Sequence, residues 1–252
     1  MAVLSRSLVL ALAISLSALP AKAGEALVAV AVNFTAAANE IATAFAEASG
    51  HTVRLAFAPT GVLYTQITQG APFEVYLAAD RERPEMAERE GFAVPGSRFT
   101  YAIGTLVLWS ADPRLVDDDA TVLTEGRFRR LAIVNPVVAP YGAAAMQVLD
   151  SLGLVEALQP KIVQGSNIAQ AYQFVATGNA EIGFVALAQV VLDERGSFWI
   201  VPDHLHEPIR QDAVLLKRGA DNPAAVAFHE FLQSPTATEI IRRYGYAIPD
   251  PS

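Results

Sequence analysis

The chain has 252 residues, 52% hydrophobic and 17% charged, which is the balance of a folded apolar protein and excludes a disordered one. Its 26 acidic side chains outnumber 18 basic ones, a net charge of −8, and this leaves no electrostatic footprint for nucleic acid or anionic lipid. Cysteine is absent, so disulfides, thiolate metal ligands and a cysteine nucleophile are excluded.

The first 23 residues carry Arg6, an apolar run from Leu8 to Leu19 and a small-x-small site at Ala21-Lys22-Ala23. They read as a secretory signal peptide, because the run is too short for a span of about 20 residues. Its removal takes away Arg6 and Lys22 and deepens the net charge to −10. The mature chain is expected to be soluble and periplasmic.

Ala26 to Val32 is an unbroken run of small and β-branched residues, the pattern of a strand buried on both faces. Asn33 stops it, and Ile41, Ala42 and Phe45 follow at helical spacing, so Asn33 is expected to cap that helix. Thr52 to Ala58 alternates as a second strand, ends at Pro59-Thr60-Gly61, and leads to a helix carrying Leu63 and Ile67. Val75 to Ala78 is a third strand, and Arg81 to Glu90 a charged surface helix. From Tyr101 to Trp109 the chain reads as one long extended run interrupted by Gly104, which suits a crossing between two lobes.

The same grammar then returns. Leu131 to Val134 is a strand, and Pro140-Tyr141-Gly142 precedes a helix. Lys161 to Val163 leads to Ser166-Asn167-Ile168 and another helix, and Ile182 to Val185 leads through Ala186 to a helix ending at Leu192. Phe198 to Val201 is a further strand, Ala213 to Leu216 the return crossing, and Ala224 to Tyr244 is helical with a break at Pro235. Alternating strands and helices imply an α/β fold with parallel-rich sheets, whose ligands bind beyond the carboxyl ends of the strands.

Four strand-to-helix turns are candidates for a site: Val32-Asn33, Pro59-Thr60-Gly61, Pro140-Tyr141-Gly142 and Ser166-Asn167-Ile168. Each brings main-chain N–H groups and an amide or hydroxyl to a helix start, and none contains a charged side chain. Such donors suit a fully deprotonated oxyanion, helped by the helix dipoles. A partly protonated phosphate would find no carboxylate to accept its proton. One such turn is explained as an ordinary cap; four in one topological position, two in each half, ask for more. The pattern alone does not name the anion. Asp117-Asp118-Asp119 lacks the spacing of a calcium loop, and His204 with His206 lacks further ligands. Tyr244 and Tyr246 are expected to pack the final helix.

The chain resembles the periplasmic molybdate-binding proteins of ABC importers. The resemblance lies in the first strand and helix with Asn33, in Phe57-Ala58-Pro59-Thr60-Gly61, in Gln66-Ile67 followed by Gly70-Ala71-Pro72, in Gly178 to Val185, and in Phe228 to Pro235 with Ile241 to Tyr246. It implies a type II binding protein of two lobes, residues 24–104 with 208–252 and residues 105–207, with the ligand cleft between them. It implies Asn33, Thr60, Tyr141 and Ile168 as molybdate ligands, with Val32 and Asn167 beside them and the phenol of Tyr141 facing the anion. It further implies molybdate or tungstate as cargo, no cofactor, no direct cation ligand, no enzymatic activity, a monomer, and a permease of the inner membrane as partner. Thr60 stands where Ser is commoner, and Phe73-Glu74-Val75-Tyr76 departs from the family's Ala-Asp-Val-Phe. A binding protein for sulfate, thiosulfate or iron is the alternative.

Overall fold

The computed structural model describes residues 23–191 and 195–249. The expected signal peptide, apart from Ala23, lies outside them. In chain order the elements are β1 (Glu25–Ala31), α1 (Thr35–Ser49), β2 (Thr52–Ala58), α2 (Thr60–Thr68), β3 (Val75–Leu77), α3 (Glu82–Arg89) and β4 (Phe99–Gly104). Then come β5 (Leu106–Ser110), α4 (Thr121–Glu125), β6 (Leu131–Val134), α5 (Pro140–Ser151), α6 (Val155–Leu158), β7 (Ile162–Gly165), α7 (Ile168–Ala176) and β8 (Ile182–Ala186). β9 (Ser197–Ile200), β10 (Ile209–Leu215), α8 (Pro223–Phe231) and α9 (Pro235–Arg243) complete the fold.

The strands form two sheets of five, ordered β2-β1-β3-β10-β4 and β7-β6-β8-β5-β9. Each is mixed. Its first three strands are parallel, as strand–helix–strand units require, and its fourth runs antiparallel to both neighbours. The antiparallel strand is in each case one that has just crossed from the other sheet: β5 enters the second sheet, β10 returns to the first. The extended run around Gly104 is therefore two strands in two sheets. β4 and β10 lie side by side, with Gly104 opposite Ile209, so both crossings leave the first sheet at one place.

Burial follows the sheets. Val28, Ala29 and Val30 of β1 are wholly buried because helices cover both faces. On one face Ile41, Phe45, Phe228 and Ile241 pack in one apolar cluster; on the other, Leu63 and Ile67 pack with Tyr76. In the second sheet Leu106, Leu108, Ile133 and Phe184 form a cluster with Tyr141 and Ile168, and Ala31 and Ala79 from the rim of the first sheet join it. The two halves thus share an apolar contact around the strand ends.

Two local expectations change. After β8 only a single 3-10 turn, Leu187–Gln189, is helical among the described residues; Gln189 donates its amide to Ile168 O at 3.2 Å and accepts from Ala186 N, which ties the turn to α7 instead of extending it. Asn33 does not cap α1: Val32–Phe34 form a 3-10 turn, and α1 starts at Thr35 without a side-chain cap. The break at Pro235 is as read, with Ser234 Oγ accepting from Ala237 N and Pro235 in the first turn, where its missing N–H leaves no bond unmade. No helix among the described residues is long and apolar enough to cross a membrane.

Candidate functional site

The six residues singled out in the sequence line one small cavity between the two sheets. Ala31, Val32 and Asn33 border it from the end of β1, Pro59 and Thr60 from the start of α2, and Ala79 from the end of β3. Ala139, Pro140 and Tyr141 border it from the start of α5, and Asn167 and Ile168 from the start of α7. This convergence follows from topology, since parallel strands deliver all their carboxyl ends, and the helix starts after them, to one edge. The centre of a water-sized sphere has about 20 Å³ in which to move there. Taken as round, that is room for one body of roughly 3 Å radius.

No lining residue is charged. The polarity comes from helix starts. The main-chain N–H groups of Thr60, Tyr141 and Ile168 lie in first turns, where no acceptor of their own helix exists. The positive ends of three helix dipoles accompany them. Asn167 caps α7 by accepting from Gln170 N at 2.9 Å, which holds Ile168 N–H in place. Thr60 is buried, and its Oγ1 accepts from Ala79 N at 3.0 Å while its carbonyl accepts from the phenol of Tyr76 at 2.9 Å. With the hydroxyl oxygen occupied by Ala79, the hydroxyl proton remains free to be donated. Across the mouth, Gly61 N donates to Val138 O at 3.1 Å, a main-chain bond from α2 to the turn before α5.

Asn33 and Tyr141 are held by residues far along the chain. The Asn33 side chain is buried and donates through Nδ2 to Gln211 Oε1 at 2.9 Å and to Tyr246 Oη at 3.3 Å. Tyr246 in turn donates to Asn33 O at 2.7 Å. Tyr141 lines the cavity, but its phenol accepts from Gln211 Nε2 at 3.2 Å and rests against Gly104, neither of which borders the cavity. Burial raises the Tyr141 pKa, opposed by hydrogen bonds with Gln211, Asn33 and Tyr246, so the phenol stays protonated. Gly142 has to be small, because a Cβ there would lie 2.2 Å from Val134 O, where α5 packs on the end of β6.

Gln211, Tyr101 and Tyr246 were not legible as site neighbours. Gln211 is a fully buried polar residue on the crossing strand β10, beside the equally buried Asp212, ahead of the apolar run Ala213–Leu215. Tyr246 sat in a terminal segment that read as packing, and it does pack: Phe34 meets the rings of Tyr101 and Tyr246 edge-on at 4.8 and 5.3 Å. Beyond the cavity a wider groove of about 590 Å³ is lined by apolar and charged residues, the latter including the Asp80–Arg83 ion pair. Among the described residues no group of three or more His, Cys, Asp or Glu side chains is placed to hold a metal ion.

Residues 26–247 match the family of bacterial extracellular solute-binding proteins. The chain is 59% identical over 229 residues to the molybdate-binding protein ModA of Rhodobacter capsulatus, covering 91% of this chain and 90% of that one. It is 58% identical over 244 residues to ModA of Azotobacter vinelandii, covering 96% and 97%. The solved periplasmic molybdate-binding protein of Azotobacter vinelandii superposes with a TM-score of 0.86 at 43% identity, covering 89% of this chain and all of that one. A family match over residues 26–247 shows the membership: the chain belongs to the bacterial extracellular solute-binding proteins.

Proposed function

We propose that this protein captures molybdate, and tungstate with it, in the cavity between its two sheets and delivers it to an ABC importer of the inner membrane. The observation that carries the reading is a small cavity of one-anion size, lined only by neutral groups and fed by three helix starts. The names of relatives at 58–59% identity supply the anion. Phosphate is disfavoured because no carboxylate lines the cavity to accept its proton. Sulfate has the same charge and shape but shorter bonds, and would leave the donors stretched. Sulfate, thiosulfate and iron are therefore the weaker readings.

In this proposal the anion is held by main-chain N–H groups of Asn33, Thr60, Tyr141 and Ile168 and by the Thr60 hydroxyl, with Val32 and Asn167 shaping the wall. The engaged amide of Asn33 supports the main-chain assignment at that turn. Binding without bond making, a monomeric periplasmic carrier, and two lobes of residues 24–104 with 208–252 and 105–207 belong to the same reading. The lobes are supported by the division of strands into two sheets.

A thermal-shift panel of oxyanions tests it. Molybdate at 100 times Kd stabilises by about 2.7 kcal/mol. In a chain of this size that raises Tm by roughly 5–11 °C. Sulfate and phosphate at equal concentration should move it little. A larger shift with sulfate would make the molybdate reading wrong.

A further inference from the structure

We propose that Gln211 is the positioning residue of the anion site, seating Asn33 from one half of the chain and Tyr141 from the other on a single carboxamide. The proposal rests on the molybdate reading above and adds a residue that does not touch the anion.

Gln211 lies on β10 where the ladder with β4 slips between Gln211 and Asp212, and its side chain is wholly buried. Its Oε1 accepts from Asn33 Nδ2 at 2.9 Å and lies 3.1 Å from Tyr101 Oη, whose one proton it shares with Ala78 O at 3.0 Å, and its Nε2 donates to Tyr141 Oη at 3.2 Å. The orientation of both amides is dictated by the protons around them. Tyr246 uses its one proton on Asn33 O, so towards the Asn33 side chain it can only accept, and Asn33 must present Nδ2. Gln211 must then meet Nδ2 with its oxygen, which turns its own nitrogen to Tyr141. A glutamate here would lose the donor, and a methionine both polar ends.

Gly104 completes the seat. A Cβ at that position would lie 2.1 Å from Tyr141 Oη and 2.6 Å from Gln211 Nε2, so the phenol fits only because residue 104 has no side chain. Gly104 also stands opposite Ile209, where both crossings leave the first sheet. Tyr141 rides on α5 with the second sheet, and Gln211 on a strand of the first. A rotation of one half against the other about these crossings withdraws the phenol from its seat. The Gln211–Tyr141 bond is therefore made when the cleft closes, and it slows reopening without contacting the ligand.

The test is stopped-flow measurement of molybdate association and release for the full mature protein and for Gln211→Met, Tyr141→Phe and Gly104→Ala, together with ligand-free melting curves. One neutral hydrogen bond corresponds to a roughly 2- to 12-fold change. Tyr141→Phe should release molybdate faster by about that factor, and Gln211→Met and Gly104→Ala by at least as much, with association little altered. The double variant Gln211→Met/Tyr141→Phe should release it no faster than Gln211→Met alone, because the bond to Tyr141 is already absent there. If Gln211→Met does not fold, Tyr141→Phe removes the same bond from its other end and decides the matter. Wild-type release rates in Tyr141→Phe, with or without a lowered ligand-free Tm, would overturn the proposal and leave molybdate binding intact. A wild-type protein that binds no molybdate would overturn both.

Discussion

Replacing Thr60 by Val keeps the outline of the side chain and removes its hydroxyl, which has two jobs that can be measured apart. The first is structural. Thr60 Oγ1 is the acceptor for Ala79 N–H at 3.0 Å, and Thr60 is 1% exposed. Without that oxygen a buried N–H loses its partner, at a cost of about 1–3 kcal/mol. In a chain this size the ligand-free Tm should fall by roughly 2–12 °C. The second job is binding. The hydroxyl proton, left free by the bond from Ala79, is in place to meet an anion in the cavity. A hydrogen bond to a charged group contributes about 1.5–3 kcal/mol, so molybdate affinity should fall by roughly 10- to 150-fold. Calorimetric titration at matched pH and salt gives the affinity, and melting without ligand gives the stability. Thr60→Ser keeps the hydroxyl and should restore both to near wild-type values. If Thr60→Val binds molybdate within a factor of two of wild type, the hydroxyl does not face the anion, and the assignment of this turn as a ligand fails.

The crossings at Gly104 and Ile209 should serve as hinges, so saturating molybdate should reduce the radius of gyration in small-angle scattering; superimposable curves with and without ligand would refute the hinge. His229 on α8 is buried, with no partner for Nε2 among the described residues, and burial holds its pKa below the usual histidine range, opposed by a hydrogen bond with the Ser97 backbone. Because the folded value is the lower, the unfolded chain takes up the proton first. The stability is then complete above about pH 6.5 and declines as pH falls from there towards the folded value. Urea unfolding between pH 5 and 8 should show this slope in wild type and a flatter one in His229→Leu, and an equal slope in both would assign the decline to other groups.

The sequence by itself determined what is local. The apolar run of β1, the alternation of β2 and the helix starts after Pro59, Ala139, Asn167 and Ser234 are decided within a few residues, by burial pattern, by proline at a first turn and by side chains that cap their own helix. Because every candidate turn followed a strand in a parallel unit, their convergence was also legible, and all six residues line one cavity. Tertiary structure decided where side chains of those turns point. Asn33 has the composition of a cap, yet its amide is taken by Gln211, 178 residues away, and by Tyr246, 213 away. The oxygen of the Tyr141 phenol accepts from Gln211 across 70 residues, in a space that exists because residue 104 is glycine. A cap competes for that amide only within its own turn, whereas a buried polar group must find a partner wherever the fold has put one. Spacing along the chain carries no record of such pairs. They are fixed when β10 returns to the first sheet and brings Gln211 under both turns at once.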